Sequence, residues 1–283
     1  MGLLCLTASA SAAKHRGKRQ RLDRAAVGDA DVAAGEDTAL RRDKPFVVYE
    51  HIHDSGRPDD LTPFGLVPIE LCYNTKTREA VETSVRSKSE KGNGAPIVFD
   101  IEKTNRNDHD VSTRHLKEVV QWAHEAVPGC VVGHYAVGPS NLTPLKRPIE
   151  KVVDAFFPSM YVHNTNRQVW ARTARKLVEQ GHRHHKPVHL FLMPKFHGRT
   201  GGEIPGSFWA FQLRTAFRSG ADGVVIWSSS KHEWDEKAGW WQATRRFMEE
   251  LKAGKVEPLK QEAADGSSAV RQKSRAGRRL TPT

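Results

Sequence analysis

Pro96-Ile-Val-Phe-Asp-Ile-Glu102 is an apolar run that ends in two acids one residue apart. Side chains alternate along an extended strand, so Asp100 and Glu102 share one side and Ile101 takes the other, toward a helix layer. Two carboxylates this close cannot both ionise cheaply in a partly dry pocket. The one whose pKa rises becomes a proton donor near neutral pH. Such a donor suits glycosidic bond cleavage, where the leaving oxygen is protonated while an oxocarbenium-like centre develops. The spacing alone more often describes two solvated strand-end acids, here neutralised by Lys103 and Arg106.

Further residues of chemical interest close other apolar runs. Tyr161 follows Phe157-Pro-Ser-Met, and Trp227 ends Gly220-Ala-Asp-Gly-Val-Val-Ile. Taken singly, each reads equally well as core or rim packing. His134 and Tyr135 end a strand and could line a cleft, although a satisfied buried histidine is the commoner case. His182-Arg-His-His185 with His189 reads as a solvated basic loop, lacking carboxylate partners at zinc-site spacing. His51 and His53 share one side of a strand end but have no third ligand at a recognisable spacing. No metal and no cofactor is expected.

The elements that must position these groups alternate strand and helix, the pattern of repeated βαβ units around a parallel sheet. Strands are expected at Phe46–His51, Leu66–Cys72, Pro96–Ile101, Val131–Ala136, Val153–Tyr161, Val188–Met193 and Gly223–Trp227. That predicts a distorted α/β fold, a TIM-like (β/α) barrel of about seven parallel strands. In such barrels the chemistry sits at the C-terminal rim. Helices are expected at Ser112–Val127 with Ser112 as N-cap, at Asn166–Gln180 stopped by Gly181, from Ser207 as N-cap to Gly220, and at Trp241–Leu251. Trp234, Trp240 and Trp241 are read as anchoring that last helix to the barrel. Cys72 and Cys130 fall at opposite rims, so a disulfide between them is not expected.

The chain has 283 residues, 44 Lys and Arg against 33 Asp and Glu, and a formal charge of +11. Residues 1–42 carry net +3 and residues 258–283 net +4, which leaves +4 for the body between them. The excess therefore sits mostly in two ends poor in large apolar residues, expected to be disordered. The predicted organisation is a partial signal-like leader and basic linker over 1–42, a barrel over 43–254 and a basic tail over 255–283. The leader, an apolar stretch followed by Ala-x-Ala, points to a secreted or envelope location. No apolar stretch approaches membrane-spanning length.

Together the strand ends resemble the hyaluronidase family of glycoside hydrolases, the venom and sperm type, over roughly residues 44–252. The resemblance rests on Phe99-Asp-Ile-Glu102, Gly133-His-Tyr135 with Asn141-Leu-Thr-Pro144, Phe157-Pro-Ser-Met-Tyr161, Lys195-Phe196 and Gly220-Ala-Asp-Gly-Val-Val-Ile-Trp-Ser-Ser229. It implies a distorted seven-stranded barrel and retaining, substrate-assisted hydrolysis of a polysaccharide containing N-acetylhexosamine. Glu102 would be the general acid and then the general base, and the substrate's acetamido oxygen the nucleophile. Asp100 and Tyr161 would hold the acetamido group and Trp227 would wall it, with Tyr135 and Phe196 as further substrate contacts. Lys103-Thr-Asn-Arg106 replaces the family's Trp-Arg-Pro type sequence, Phe196 stands where it has a tyrosine, and its framework disulfides are absent. The partner implied is a polysaccharide, with an anionic glycosaminoglycan among the candidates. Two other readings stay open: a carbohydrate-binding barrel without catalysis, and a basic nucleic-acid-binding protein resting on net charge alone.

Overall fold

The computed structural model describes residues 45–73, 75–91, 94–101, 109–138, 149–198 and 202–256. Glu102, Lys103, Arg106, Asn141-Leu-Thr143 and nearly all of both basic ends lie outside these residues. In chain order the elements are β1 (Val47–Ile52), β2 (Val67–Pro68), β3 (Leu71–Cys72), α1 (Arg78–Lys91), β4 (Ile97–Phe99), α2 (His109–Ala126), β5 (Val132–His134), α3 (Arg167–Arg183), β6 (His189–Leu192), α4 (Gly206–Arg218), β7 (Gly223–Ser228) and α5 (Gly239–Lys252).

Every pairing between these strands is parallel. One sheet runs β2-β1-β7-β6 and the other β3-β4-β5. Two seams join them into a ring. At the first, the chain passes straight from β2 to β3: the Ile69 N–H donates to the Glu50 carbonyl at 3.0 Å, so one bent strand pairs with β1 through its first half and with β4 through its second. At the second, residues 156–159 bridge β5 and β6 through the pairs Tyr135 with Phe157, Phe156 with Val188, and Ser159 with Phe191. The result is a (β/α) barrel of seven strand positions, distorted at both seams.

The expected strand Val153–Tyr161 is therefore single bridges and not a continuous ladder. Pro158 has no N–H to contribute, and Val152 and Val153 turn back to donate to the Ile149 carbonyl. The Asp154 side chain takes the Val132 N–H at 2.8 Å, which a neighbouring strand would otherwise use.

Period-two alternation divides the core. Val48, Phe99, Val132, Leu190, Val224 and Ile226 face the helices, and Ile101 packs there too. Tyr49, Leu71, Val98, Phe157, Phe191 and Val225 fill the barrel interior. Gly133 makes room for this filling, since a Cβ there would overlap the Phe157 ring.

Three expected helix caps or stops are not used as such. Helix α2 starts at His109, which puts Ser112 inside it and not at the cap. Helix α3 runs through Gly181 to Arg183, because Gly181 is a packing position whose added Cβ would meet Val188. Pro205, not Ser207, precedes α4, and no side chain caps it. Asn166 does cap α3, its side chain accepting from the Val169 N–H at 3.0 Å. Trp240 and Trp241 of α5 are buried, with Trp234 at 4.7 Å from the Trp241 ring, so this cluster anchors the helix. Cys72 and Cys130 are free thiols. No described helix is long and apolar enough to cross a membrane.

Candidate active site

The C-terminal ends of the strands surround a cavity of about 470 Å³. Asp100, Tyr135, Tyr161, Phe196 and Trp227 all line it, so five of the six residues singled out from the sequence stand around one space. The sixth, Glu102, lies outside the described residues. Each arrives by a local rule. Asp100 lies between Phe99 and Ile101, both turned to the helices, and so faces the interior, with its N–H held by the Cys72 carbonyl at 3.0 Å. Trp227 follows Val225 by two on β7. Tyr135 follows β5 directly, and its ring packs edge-on against Phe191 at 5.0 Å.

Tyr161 is the hub of the aromatic wall. Its ring centroid lies 5.9 Å from Tyr135, 6.1 Å from Trp227 and 5.7 Å from His197. Burial pushes its phenol well above the usual tyrosine range, and the charge and hydrogen bond of Tyr135 and the charge of Asp100 push it the same way. Tyr161 is thus a neutral hydroxyl across the working pH range, able to donate.

The lining also carries basic side chains: Lys195, His197, Lys231 and His232. These four were not singled out from the sequence as site residues, although Lys195 stood in one of the motifs. The signal that could have found them is the barrel rule itself, since all four sit in the loops after β6 and β7. Burial and the nearby Lys195 charge lower the His232 imidazole pKa.

Other polar residues near the strand ends do not join the cavity. His134 is buried toward α2, its Nε2 3.4 Å from the Leu116 carbonyl. Glu70 pairs with Lys88 of α1 at 2.9 Å, and Glu50 with Arg57 at 3.4 Å. His189, grouped with a solvated basic loop in the sequence reading, is instead buried in the barrel interior, stacked on Phe157 at 5.1 Å and edge-on to Tyr49 at 5.4 Å. Its neighbours in that loop are surface residues paired with acids, His182 with Asp222 at 3.0 Å and His184 with Glu150 at 3.4 Å. His51 and His53 face each other with Nε2 atoms 2.9 Å apart, and His51 Nδ1 is 2.9 Å from the Ile69 carbonyl. Among the described residues, no three of His, Cys, Asp and Glu are grouped so as to hold a metal ion.

No family model matches the chain, and no curated protein matches it by sequence. Solved structures do match. Bee venom hyaluronidase superposes with a TM-score of 0.53 at 14% identity, over 74% of this chain and 97% of that one. The same venom enzyme in complex with a hyaluronic acid tetramer gives 0.48 at 16% identity, over 73% and 96%. An endo-beta-1,3-glucanase from Amycolatopsis mediterranei, in complex with laminarihexaose, gives 0.47 at 13% identity, over 70% and 88%. At these identities the first match establishes a shared barrel fold.

Proposed function

We propose that the chain is a glycoside hydrolase that cleaves an N-acetylhexosamine-containing polysaccharide by a retaining, substrate-assisted mechanism. The observation that carries this is the common cavity at the barrel mouth, where Asp100, Tyr135, Tyr161 and Trp227 meet. Glu102, two residues beyond Asp100 in the sequence, supplies the proton to the departing oxygen and later takes one from water. Asp100 accepts from the acetamido N–H and, by its own charge, keeps Glu102 protonated at rest. Tyr161, a neutral donor, holds the acetamido group so that its oxygen can attack the anomeric carbon. Trp227 presents an apolar face to that group and helps exclude water. The fold likeness to the venom hyaluronidase supports the reading at the level of architecture.

The two lysines of the lining, Lys195 and Lys231, suit a substrate that carries carboxylates or sulfates. Secretion or envelope location fits a polysaccharide substrate and the leader-like opening sequence.

A second reading, a barrel that binds saccharide without cutting it, is favoured by one observation. Phe196 lines the cavity and brings no hydroxyl to it. Reducing-end release from hyaluronan, chondroitin and chitin fragments separates the two. The hydrolase reading expects turnover on at least one, reduced about 10²- to 10⁴-fold by Glu102→Gln. Saccharide binding with no product from the unmodified chain establishes the second reading, and equal rates for the variant remove Glu102 from its role.

A further inference from the structure

His232 lines the cavity in a loop held by backbone hydrogen bonds. Its carbonyl accepts from the Ser55 N–H at 2.8 Å, its own N–H donates to the Ser229 carbonyl at 3.1 Å, and the next residue, Glu233, bridges to Ser55 beyond the end of β1. The ring is fixed as well. Its Nδ1 lies 3.1 Å from Ser228 Oγ, and the Ser228 hydroxyl in turn donates to Asp54 Oδ1. Ser228 and Asp54 are both buried, and neither lines the cavity.

The order of donors along this chain determines the histidine's tautomer. A carboxylate only accepts, so the single Ser228 proton goes to Asp54. Ser228 Oγ is left as an acceptor toward His232, and Nδ1 must carry the imidazole proton. In the neutral ring Nε2 is then a bare lone pair. The arrangement superficially contains serine, histidine and aspartate, yet it cannot serve as a nucleophilic triad, because Ser228 is buried and its proton is directed away from the imidazole.

The ammonium groups of Lys195 and Lys231, which also line the cavity, only donate, while Ser229 and His197 can donate or accept. A saccharide offers both donors and acceptors, so beside two ammonium donors an acceptor held in one tautomer gives its hydroxyl and amide protons a fixed partner. We infer that His232 is a substrate-contacting residue that accepts a hydrogen bond from a hydroxyl or amide N–H of the bound saccharide, and that Ser228 and Asp54 are positioning residues that hold it in the required tautomer. The inference rests on the polysaccharide reading and names a contact outside the acid pair and the aromatic wall.

Two measurements test it. Long-range ¹H–¹⁵N correlation spectra of the full chain, with the His232 signals identified by their loss in His232→Gln, report the tautomer directly. The unmodified chain is expected to show the Nδ1–H form, and Ser228→Ala is expected to release a large Nε2–H population. Calorimetric titration of a hyaluronan hexasaccharide, in a Glu102→Gln background so that the ligand is not consumed, reads the contact. His232→Ala should weaken binding roughly three- to tenfold, the equivalent of one neutral hydrogen bond. Ser228→Ala should weaken it as well, despite having no surface in the cavity. An Nε2–H tautomer in the unmodified chain, or unchanged affinity in His232→Ala while the background variant binds, overturns the inference and leaves the polysaccharide reading intact. Failure of the background variant to bind overturns the hyaluronan-like reading itself and this contact with it.

Discussion

Two buried imidazoles show how strongly this interior treats single groups. His189 is stacked inside the barrel and His51 sits under the rim with its Nδ1 on a backbone carbonyl. Burial is the main cause in both cases, and it lowers each from the ordinary 6.5 to about 4; for His51 the adjacent His53 adds to the effect. The sign for stability follows. Between pH 6.5 and 4 the unfolded chain binds protons that the native rings refuse, so acidification through this window favours unfolding. The expected loss between pH 6.5 and 5 is about 2 kcal/mol per ring. Urea unfolding across that range checks the total, and the His189 ring resonances, expected to stay at their neutral-form shifts at pH 5, check the assignment. Titration of His189 near 6.5 in the native state would show that the ring is not shielded as described. Tyr161 is shifted upward by the same burial, with Tyr135 and Asp100 adding to it, which keeps it a donor where the proposed mechanism needs one.

Among the elements, β5 and the bridging segment 156–159 place the aromatic wall, and they depend on a glycine. Gly133 sits on β5 where any side chain would run into Phe157. Gly133→Ala is expected to cost about 1–3 kcal/mol through forced repacking of that ring, and because Tyr135 is two residues away, saccharide affinity should fall with it. A thermal melt alongside a binding titration reads both effects. A variant as stable as the parent would mean that Phe157 can move aside at no cost. These elements also show what the sequence makes legible. The alternation in Phe99-Asp100-Ile101 and Val225-Ile226-Trp227 is a property of the strand backbone, so the facing of Asp100 and Trp227 could be read before any coordinates. The continuity of Val153–Tyr161 could not, because Asp154 and Pro158 redirect hydrogen bonds in ways that an apolar run does not disclose. Gly181 has the composition of a helix stop and the role of a packing contact, a distinction made only by where Val188 lies. Helix α1 buries only Val81 and Val85, too sparse a stripe to stand out by period. His232 and its partners come from the ends of β1 and β7 and the loop that follows, 178 positions apart at the extremes of Asp54 and His232, and no local spacing joins them.

For the molecule as a whole, the topology puts the candidate site at one end of the barrel, and the sequence puts most of the net charge in residues outside the barrel. Most of the +11 lies in residues 1–42 and 258–283, and the barrel itself keeps +4. Binding to duplex DNA, if it occurs at low salt, should therefore vanish when both ends are removed, while saccharide binding at the barrel mouth should persist. Gel-shift and titration experiments on the full and trimmed chains check this. A trimmed chain that still bound DNA with a steep salt dependence would favour the nucleic-acid reading over the carbohydrate one. The most direct measurement is a crystal structure of the Glu102→Gln variant with a hyaluronan tetrasaccharide. The account predicts an N-acetylhexosamine in the cavity, its acetamido group within hydrogen-bond reach of Asp100 and Tyr161 and against the face of Trp227. A saccharide bound elsewhere on the barrel, or an acetamido group turned away from those three side chains, would contradict it.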